Sequence, residues 1–302
     1  MVSARGLLIG VDVGGTFTDA VVIDAQSGAL LDAFKLPSTG DDPSAAVRAV
    51  LERIAARADL SGAQLFHGTT VGTNALIERK GASLAMVATR GFSDVIELRR
   101  QDRPTLYDLD VRVSEPLASP DRRFEVAERI GPDGEALLPP SGLDALARDL
   151  RAAGVEAVAV SLLHSYANGA HEKAVRDAIA AVLPDAFVTL SHDVCPELGE
   201  YERTSTTMVN AYIGPPVSRY MRRLDSFASD AGIGSLRIVK SNGGVTSPDN
   251  AAAYPAHLIE SGPAAGMIAA AAFARAAGWP DLIAFDMGGT TAKAGVILNG
   301  EP

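Results

Sequence analysis

Apolar residues fill LLIGVDV almost without interruption, and the run stops at Gly14-Gly15. A block this short reads as a strand buried on both faces. The next apolar block, AVVI, is rich in β-branched residues, and a Ser27-Gly28 turn leads into a third strand. Residues 8–35 are therefore predicted to form an antiparallel meander, not a strand followed by a helix. Asp42 is placed to cap a helix with Pro43 at its first position. That helix should run to about Ala58 with Val47, Val50, Leu51 and Ile54 facing inward. AQLFHGTT then reads as a strand entering a polar loop, and TNALIER as a helical turn closed by Gly81.

From Ala82 the pattern changes. ASLAMVATRG is a strand, and residues 93–140 are rich in Pro and Arg, with PDGEALLPP marking an exposed hairpin or loop. Ser141 should cap a helix that carries Leu143, Leu146 and Leu150 on one face and ends at Gly154. VEAVAVSLL, NGAHEKAVRDAIAAVLP and AFVTLS follow as strand, helix and strand, the alternation of a parallel α/β unit. A long helix is expected over about 202–231, broken near Gly214-Pro215-Pro216. LRIVKSNGG should then open a second domain. The predicted organisation is a first lobe at 1–81, an inserted module at 82–190, a helical return at 191–235 and the start of a second lobe at 236–302.

Composition narrows the partners. The 302 residues are 47% hydrophobic and 21% charged, which excludes a disordered chain. Lys+Arg total 27 against 37 Asp+Glu, for a net charge of -10. That balance repels phosphate backbones and anionic lipid, so neither nucleic acid nor membrane is an expected partner. The one cysteine, Cys195, has no intrachain disulfide partner, which suits a reducing, cytoplasmic setting. The longest apolar stretch, Ala264 to Ala274, is shorter than the ~20 residues a spanning helix needs. The N-terminal residues show neither a basic lead nor a cleavage site, so no secretory signal is expected from them.

The chemistry resides in a repeat. At an offset of 274, LIGVDVGGTFTDAVVI (8–23) and LIAFDMGGTTAKAGVI (282–297) agree at nine of sixteen positions. Each copy places an Asp at a strand end, then two glycines, then hydroxyl residues. Glycines permit a tight turn and close approach to a ligand. Successive free N–H groups form an anion-binding concavity, here Gly14, Gly15, Thr16 and Thr18 in one copy and Gly288, Gly289, Thr290 and Thr291 in the other. A carboxylate beside such a site calls for a cation, and Mg²⁺ bound through Asp12 and Asp286 meets that need. Two ordinary Asp-Gly-Gly hairpin turns are the plainer reading. Other nucleotide motifs fail: no Gly-Lys pair exists for a P-loop, and the segment after Gly15 reads as a strand where the dinucleotide fold needs a helix.

The paired turns resemble the phosphate loops of the actin, sugar-kinase and heat-shock-chaperone ATPases. More narrowly, VDVGGTFTD, HGTTVGTNALIERKG, EYERTSTTMVNAYIGP, SNGG, ESGPAAG and FDMGGTTAK resemble, in order, the hydantoinase A/oxoprolinase family. The resemblance implies an α/β, ribonuclease-H-like or actin-like ATPase lobe with an inserted α/β module and the start of a second, truncated lobe. It also implies ATP and Mg²⁺, phosphorylation of a cyclic amide (hydantoin, 5-oxoproline or lactam) on its carbonyl oxygen, and hydrolysis of the activated ring. Asp12 and Asp286 would serve phosphoryl transfer through the metal. A second subunit of the hydantoinase B type is the implied partner. A ketone carboxylase subunit and a non-catalytic nucleotide-binding regulator are the alternatives. Family polypeptides are about twice as long, so the 302 residues alone are expected to be inactive.

Further residues stay open between roles. Lys293 stands where the first copy has Asp19, and either neutralises phosphate or lies solvated on its strand. In the family, His67, Thr69, Thr70 and Asn74 lie near the cleft between lobes, whereas as a bare sequence they read as a polar loop with a capping residue. SGPAAG (261–266) fits a helix N-terminus suited to an anion, or close packing of small residues. The five histidines lack zinc-site spacing, and G-x-S-x-G is absent.

Overall fold

The computed structural model describes residues 6–39, 42–102, 105, 107, 108, 110, 114–287 and 292–302. The chain divides into two compact units, residues 1–78 with 216–302, and residues 79–215.

The first unit opens with β1 (Leu7–Val13), β2 (Phe17–Asp24) and β3 (Leu30–Pro37), an antiparallel meander as the pattern predicts. Burial alternates along β1: Leu7, Ile9, Val11 and Val13 are buried while Asp12 is exposed. The strand is thus buried on one face, not both, because its second face is only half covered. Helix α1 (Pro43–Ala55) packs on that meander through Val47, Val50, Leu51 and Ile54. Its Asp42 cap accepts the Ser44 N–H at 3.1 Å. β4 (Gln64–Thr69) pairs parallel with β1, and α2 (Val71–Ile77) follows.

The second unit contains β5 (Leu84–Thr89), α3 (Val95–Leu98), β6 (Arg123–Ile130), β7 (Ala136–Ser141), α4 (Leu143–Ala152), β8 (Ala157–Ser161), α5 (Ala170–Val182), β9 (Phe187–Leu190) and α6 (Ser191–Val194). The strands order as β7-β6-β5-β8-β9, parallel except for the β6–β7 hairpin. Leu146, Leu150, Val175 and Ile179 cover Val87, Val158 and Val160. Ser141 does not cap α4. Gly142, at φ 74°, occupies that position, and Ser141 ends β7 instead.

Helix α7 (Glu200–Asp230) is continuous through Gly214-Pro215-Pro216, where a break was expected. Pro216 cannot donate to the carbonyl of Tyr212. The Ala82 N–H takes that carbonyl at 2.8 Å, so the acceptor is not orphaned.

The chain returns to the first unit with β10 (Ser235–Val239), β11 (Val245–Thr246), α8 (Pro248–Ala253), α9 (Ser261–Ala277), β12 (Leu282–Met287) and β13 (Ala292–Ile297). β10, expected to open a second lobe, instead pairs parallel with β4 and extends the first sheet to the order β11-β10-β4-β1-β2-β3. β12 and β13 form a separate hairpin whose inner side rests on α9 through Ala271, Ala274 and Ile297. A side chain at Gly295 would stand 2.2 Å from Met267 Sδ, so glycine lets the helix approach. Ile283, Phe285 and Met287 are exposed on the hairpin.

Candidate phosphate and metal site

The internal repeat extends to strand register. Leu8 faces Ile23, Asp12 faces Asp19 and Val13 faces Thr18 in the first hairpin. Leu282 faces Ile297, Asp286 faces Lys293 and Met287 faces Ala292 in the second, the same pairs shifted by 274. The two hairpins differ in charge. Asp12 meets another carboxylate across the strands, a repulsive arrangement, while Asp286 meets an ammonium. Asp19 is itself held by Lys35 of β3 at 3.0 Å.

Asp12 is the focus of the first unit's site. A side chain at Gly68, at the end of β4, would lie 2.7 Å from Asp12 Oδ1, and one at Gly262, in the first turn of α9, 3.6 Å from it. Two glycines therefore keep the space beside the carboxylate clear, and one of them opens a 17-residue helix whose N-terminal dipole favours anions. The pKa of Asp12 is raised, first by desolvation among these backbones and then by the charges of Asp19 and Asp286. Its outer face nevertheless remains solvent-exposed.

In the turn after β1, Gly14 N–H donates to Phe17 O at 3.0 Å, whereas the Gly15 and Thr16 N–H groups meet no acceptor among the described residues. Gly15 and Thr16 are exposed. Thr18 is fully buried. Ser38 Oγ donates to Gly14 O at 2.8 Å, so the Thr18 hydroxyl donates to Ser38 at 2.9 Å and braces the turn from behind. Thr70 Oγ1 donates to Val13 O at 3.2 Å, and Asn74 Nδ2 donates to Thr70 Oγ1 at 3.3 Å. These two residues tie the start of α2 to the turn.

His67 has no exposed surface. Nδ1 lies 3.2 Å from Val11 O and Nε2 2.7 Å from Tyr220 Oη. The carbonyl can only accept, which assigns the proton to Nδ1 and makes Nε2 the acceptor of the Tyr220 hydroxyl. Burial pushes the His67 pKa down to about 4 and pushes that of Tyr220 up. Thr69 is also buried and hydrogen-bonds Tyr220. The histidine is thus a neutral internal strut beneath the site. Tyr220 was missed in the sequence, although it shares the buried stripe Val217, Tyr220, Met221, Leu224 along α7. A hydroxyl in such a stripe needs a polar partner, which was the available signal.

Lys293 pairs with Glu260, which caps α9 from a left-handed conformation at φ 63°. The Glu260 N–H donates to Thr73 Oγ1 at 3.2 Å and Ser261 Oγ to Thr69 O at 3.2 Å. The start of α9 is therefore bound to β4 and α2 on one side and to the second hairpin on the other. Gly288, Gly289, Thr290 and Thr291 lie outside the described residues.

Among the described residues no group of three or more His, Cys, Asp or Glu side chains is arranged to hold a metal by itself. Mg²⁺ does not require such a cage, since it takes one or two carboxylates and completes its shell with water and phosphate oxygens. Asp12, with its raised pKa, open side and acidic neighbours, fits that role. Cys195 is half-buried, and burial raises its thiol pKa, which disfavours the nucleophilic thiolate. Among the described residues no helix is long and apolar enough to cross a membrane.

Comparison with known proteins agrees with this architecture. The model of the hydantoinase/oxoprolinase N-terminal region matches residues 8–183, and that of hydantoinase/oxoprolinase matches residues 203–302. Caprolactamase subunit alpha of Pseudomonas jessenii is 35% identical over 295 residues, covering 94% of this chain and 42% of the relative. The crystal structure of the ATP-dependent caprolactamase from that organism matches with a TM-score of 0.80 over 96% of this chain and 43% of the other. The gamma subunit of acetophenone carboxylase from Aromatoleum aromaticum is 30% identical over 317 residues, or 96% and 42% of the two chains. Nucleotide-free acetone carboxylase matches with a TM-score of 0.87 at 27% identity, over 98% and 44%. The chain thus spans less than half the length of these relatives. With family models matching most of its residues, it belongs to the hydantoinase/oxoprolinase family.

Proposed function

We propose that this chain is the ATP-handling part of an ATP-dependent cyclic amidohydrolase. The observation that carries the reading is the Asp12 turn: a carboxylate kept clear by Gly68 and Gly262, two N–H groups without acceptors beside it, and Asp286 close enough to raise its pKa. We read the two hairpins of identical register as the paired phosphate loops of actin-like lobes, with residues 79–215 as a module inserted into the first.

In this reading the Gly15 and Thr16 N–H groups and the Thr16 hydroxyl orient the β- and γ-phosphates, and Gly288, Gly289, Thr290 and Thr291 do so from the second loop. Asp12 and Asp286 hold Mg²⁺ directly or through water, and the ion neutralises charge on the phosphates when bound. Lys293 adds positive charge near the second loop. Phosphoryl transfer rests on such positioning and charge compensation more than on covalent protein chemistry. An unstrained amide is a poor electrophile. Transfer of the γ-phosphoryl group to its carbonyl oxygen makes the carbon electrophilic. Water adds there, and the C–N bond breaks as the nitrogen takes a proton. A second water hydrolyses the resulting acyl phosphate to the ring-opened acid and inorganic phosphate. Several relatives are named as subunits, which supports a partner chain, here of the hydantoinase B type.

A ketone carboxylase subunit is the second reading, favoured by the higher TM-score to acetone carboxylase. The higher identity to caprolactamase favours the amide. Product analysis of the complete enzyme with MgATP and cyclic amides or small ketones, with and without bicarbonate, decides between them. Ring-opened acid formed without bicarbonate is the expected result. ATP consumption that requires both ketone and bicarbonate would overturn it.

A further inference from the structure

Within the second unit, Arg203 is 1% exposed. Its Nη1 donates to Glu197 O at 3.2 Å and its Nη2 to Leu162 O at 3.0 Å, while its Nε–H has no acceptor. No carboxylate among the described residues forms an ion pair with it. The Tyr166 ring, 5.3 Å from the guanidinium carbon, is the other neighbour that offsets the charge. A buried guanidinium with an N–H left unpaired is costly, and this arrangement is one that an anion would complete.

The position of Arg203 in the fold is equally informative. The chain leaves β5 toward β6 on one side of the sheet and later returns as β8 on the other. Open parallel sheets bind ligands outside the carboxyl ends of the strands where such a reversal occurs. Here those ends are Thr89 and Ser161, and both line a cleft that Arg203 and Thr204 also line. The cleft is narrow, with about 10 Å³ of free space, room for one oxygen-sized group, and it opens to solvent on one side.

The donors in the cleft set the ligand class. The Thr89 hydroxyl is used up, donating to Glu128 and accepting from Leu163 N–H at 3.0 Å. Ser161 and Thr204 bond each other at 2.8 Å, which consumes one of their two hydroxyl protons and leaves one to give. The donors left over include this hydroxyl and the Arg203 Nε–H. Glu200, which also lines the cleft, disfavours a multiply charged ligand. We propose that this cleft binds the head group of a small monocarboxylate, one oxygen seated against Arg203 and the Ser161–Thr204 pair. The proposal concerns a site apart from the Asp12 turn and does not depend on the ATP reading.

Selective ¹⁵N-arginine labelling makes the test direct. Sodium acetate, titrated at constant ionic strength against sodium chloride, should move the Arg203 Nε–H resonance saturably, with chloride leaving it in place. Arg203→Lys assigns the resonance by its loss. If that variant does not fold, Thr204→Val, which retains the guanidinium, assigns it by displacement. Thr204→Val should weaken acetate binding roughly tenfold, the loss of one charge-assisted hydrogen bond. An equal response to chloride, a response to phosphate but not acetate, or no saturable response at all would overturn the proposal and leave the cleft a water site.

Discussion

His67 and Asp12 lie on neighbouring paired strands, and their pKa values shift for the same physical reason with different consequences. Burial disfavours the charged form of each, so the histidine stays neutral and the carboxyl holds its proton to higher pH. For His67 the folded value of about 4 lies below the ordinary 6.5. Its contribution to stability is therefore fully present above pH 6.5 and is lost as pH falls toward 4, a change on the order of 3 kcal/mol. Urea unfolding of wild type and His67→Gln at pH 7 and pH 5 checks this. The variant should start less stable and lose less on acidification, whereas equal losses in both would show that His67 does not carry the pH dependence. Little of this was legible in the sequence. HGTT looks like an exposed polar loop, and only the pairing of Val11 with His67 together with the Tyr220 hydroxyl explains a buried imidazole.

At the scale of elements, hydrophobic periodicity predicted the meander, α1 and the parallel strands of residues 82–190, because each depends on local burial pattern. It failed where a distant group satisfied the backbone. Pro215 and Pro216 imply a break, yet α7 continues because Ala82, about 130 residues earlier, occupies the Tyr212 carbonyl. Likewise LRIV reads as a fresh start, and only pairing with β4 reveals it as part of the first sheet. Gly214 offers a test of which force governs that stretch of α7. Helix propensity alone would favour alanine there by ~1 kcal/mol. A side chain at Gly214, however, would stand 2.3 Å from the Phe187 ring. Overpacking of this kind typically costs about 1–3 kcal/mol. Gly214→Ala should therefore lower the denaturation midpoint, and adding Phe187→Leu should recover part of the loss. A stabilised single variant would mean that the ring moves aside freely.

For the whole molecule, the Asp-Gly-Gly-Thr repeat was legible because it recurs at one fixed offset, and the register of the two hairpins preserves that offset residue by residue. What the repeat could not reveal is what surrounds it. Gly68, Tyr220 and the Glu260–Gly262 stretch come from three other segments, brought to Asp12 only by folding. The two copies have also diverged in charge, Asp12 facing Asp19 and Asp286 facing Lys293, so a bound phosphate would meet different surroundings in each. The central claim is that Asp12 serves a metal–phosphate group and not the core. Its raised pKa argues that the fold gains little from the charge. The decisive measurement is MgATP turnover by the complete enzyme carrying Asp12→Ala, with circular dichroism as the check on folding. Loss of such an electrostatic contact typically lowers the rate about 10²–10³-fold. A drop of that size in a folded variant is the predicted result, and turnover within a few-fold of wild type would contradict it.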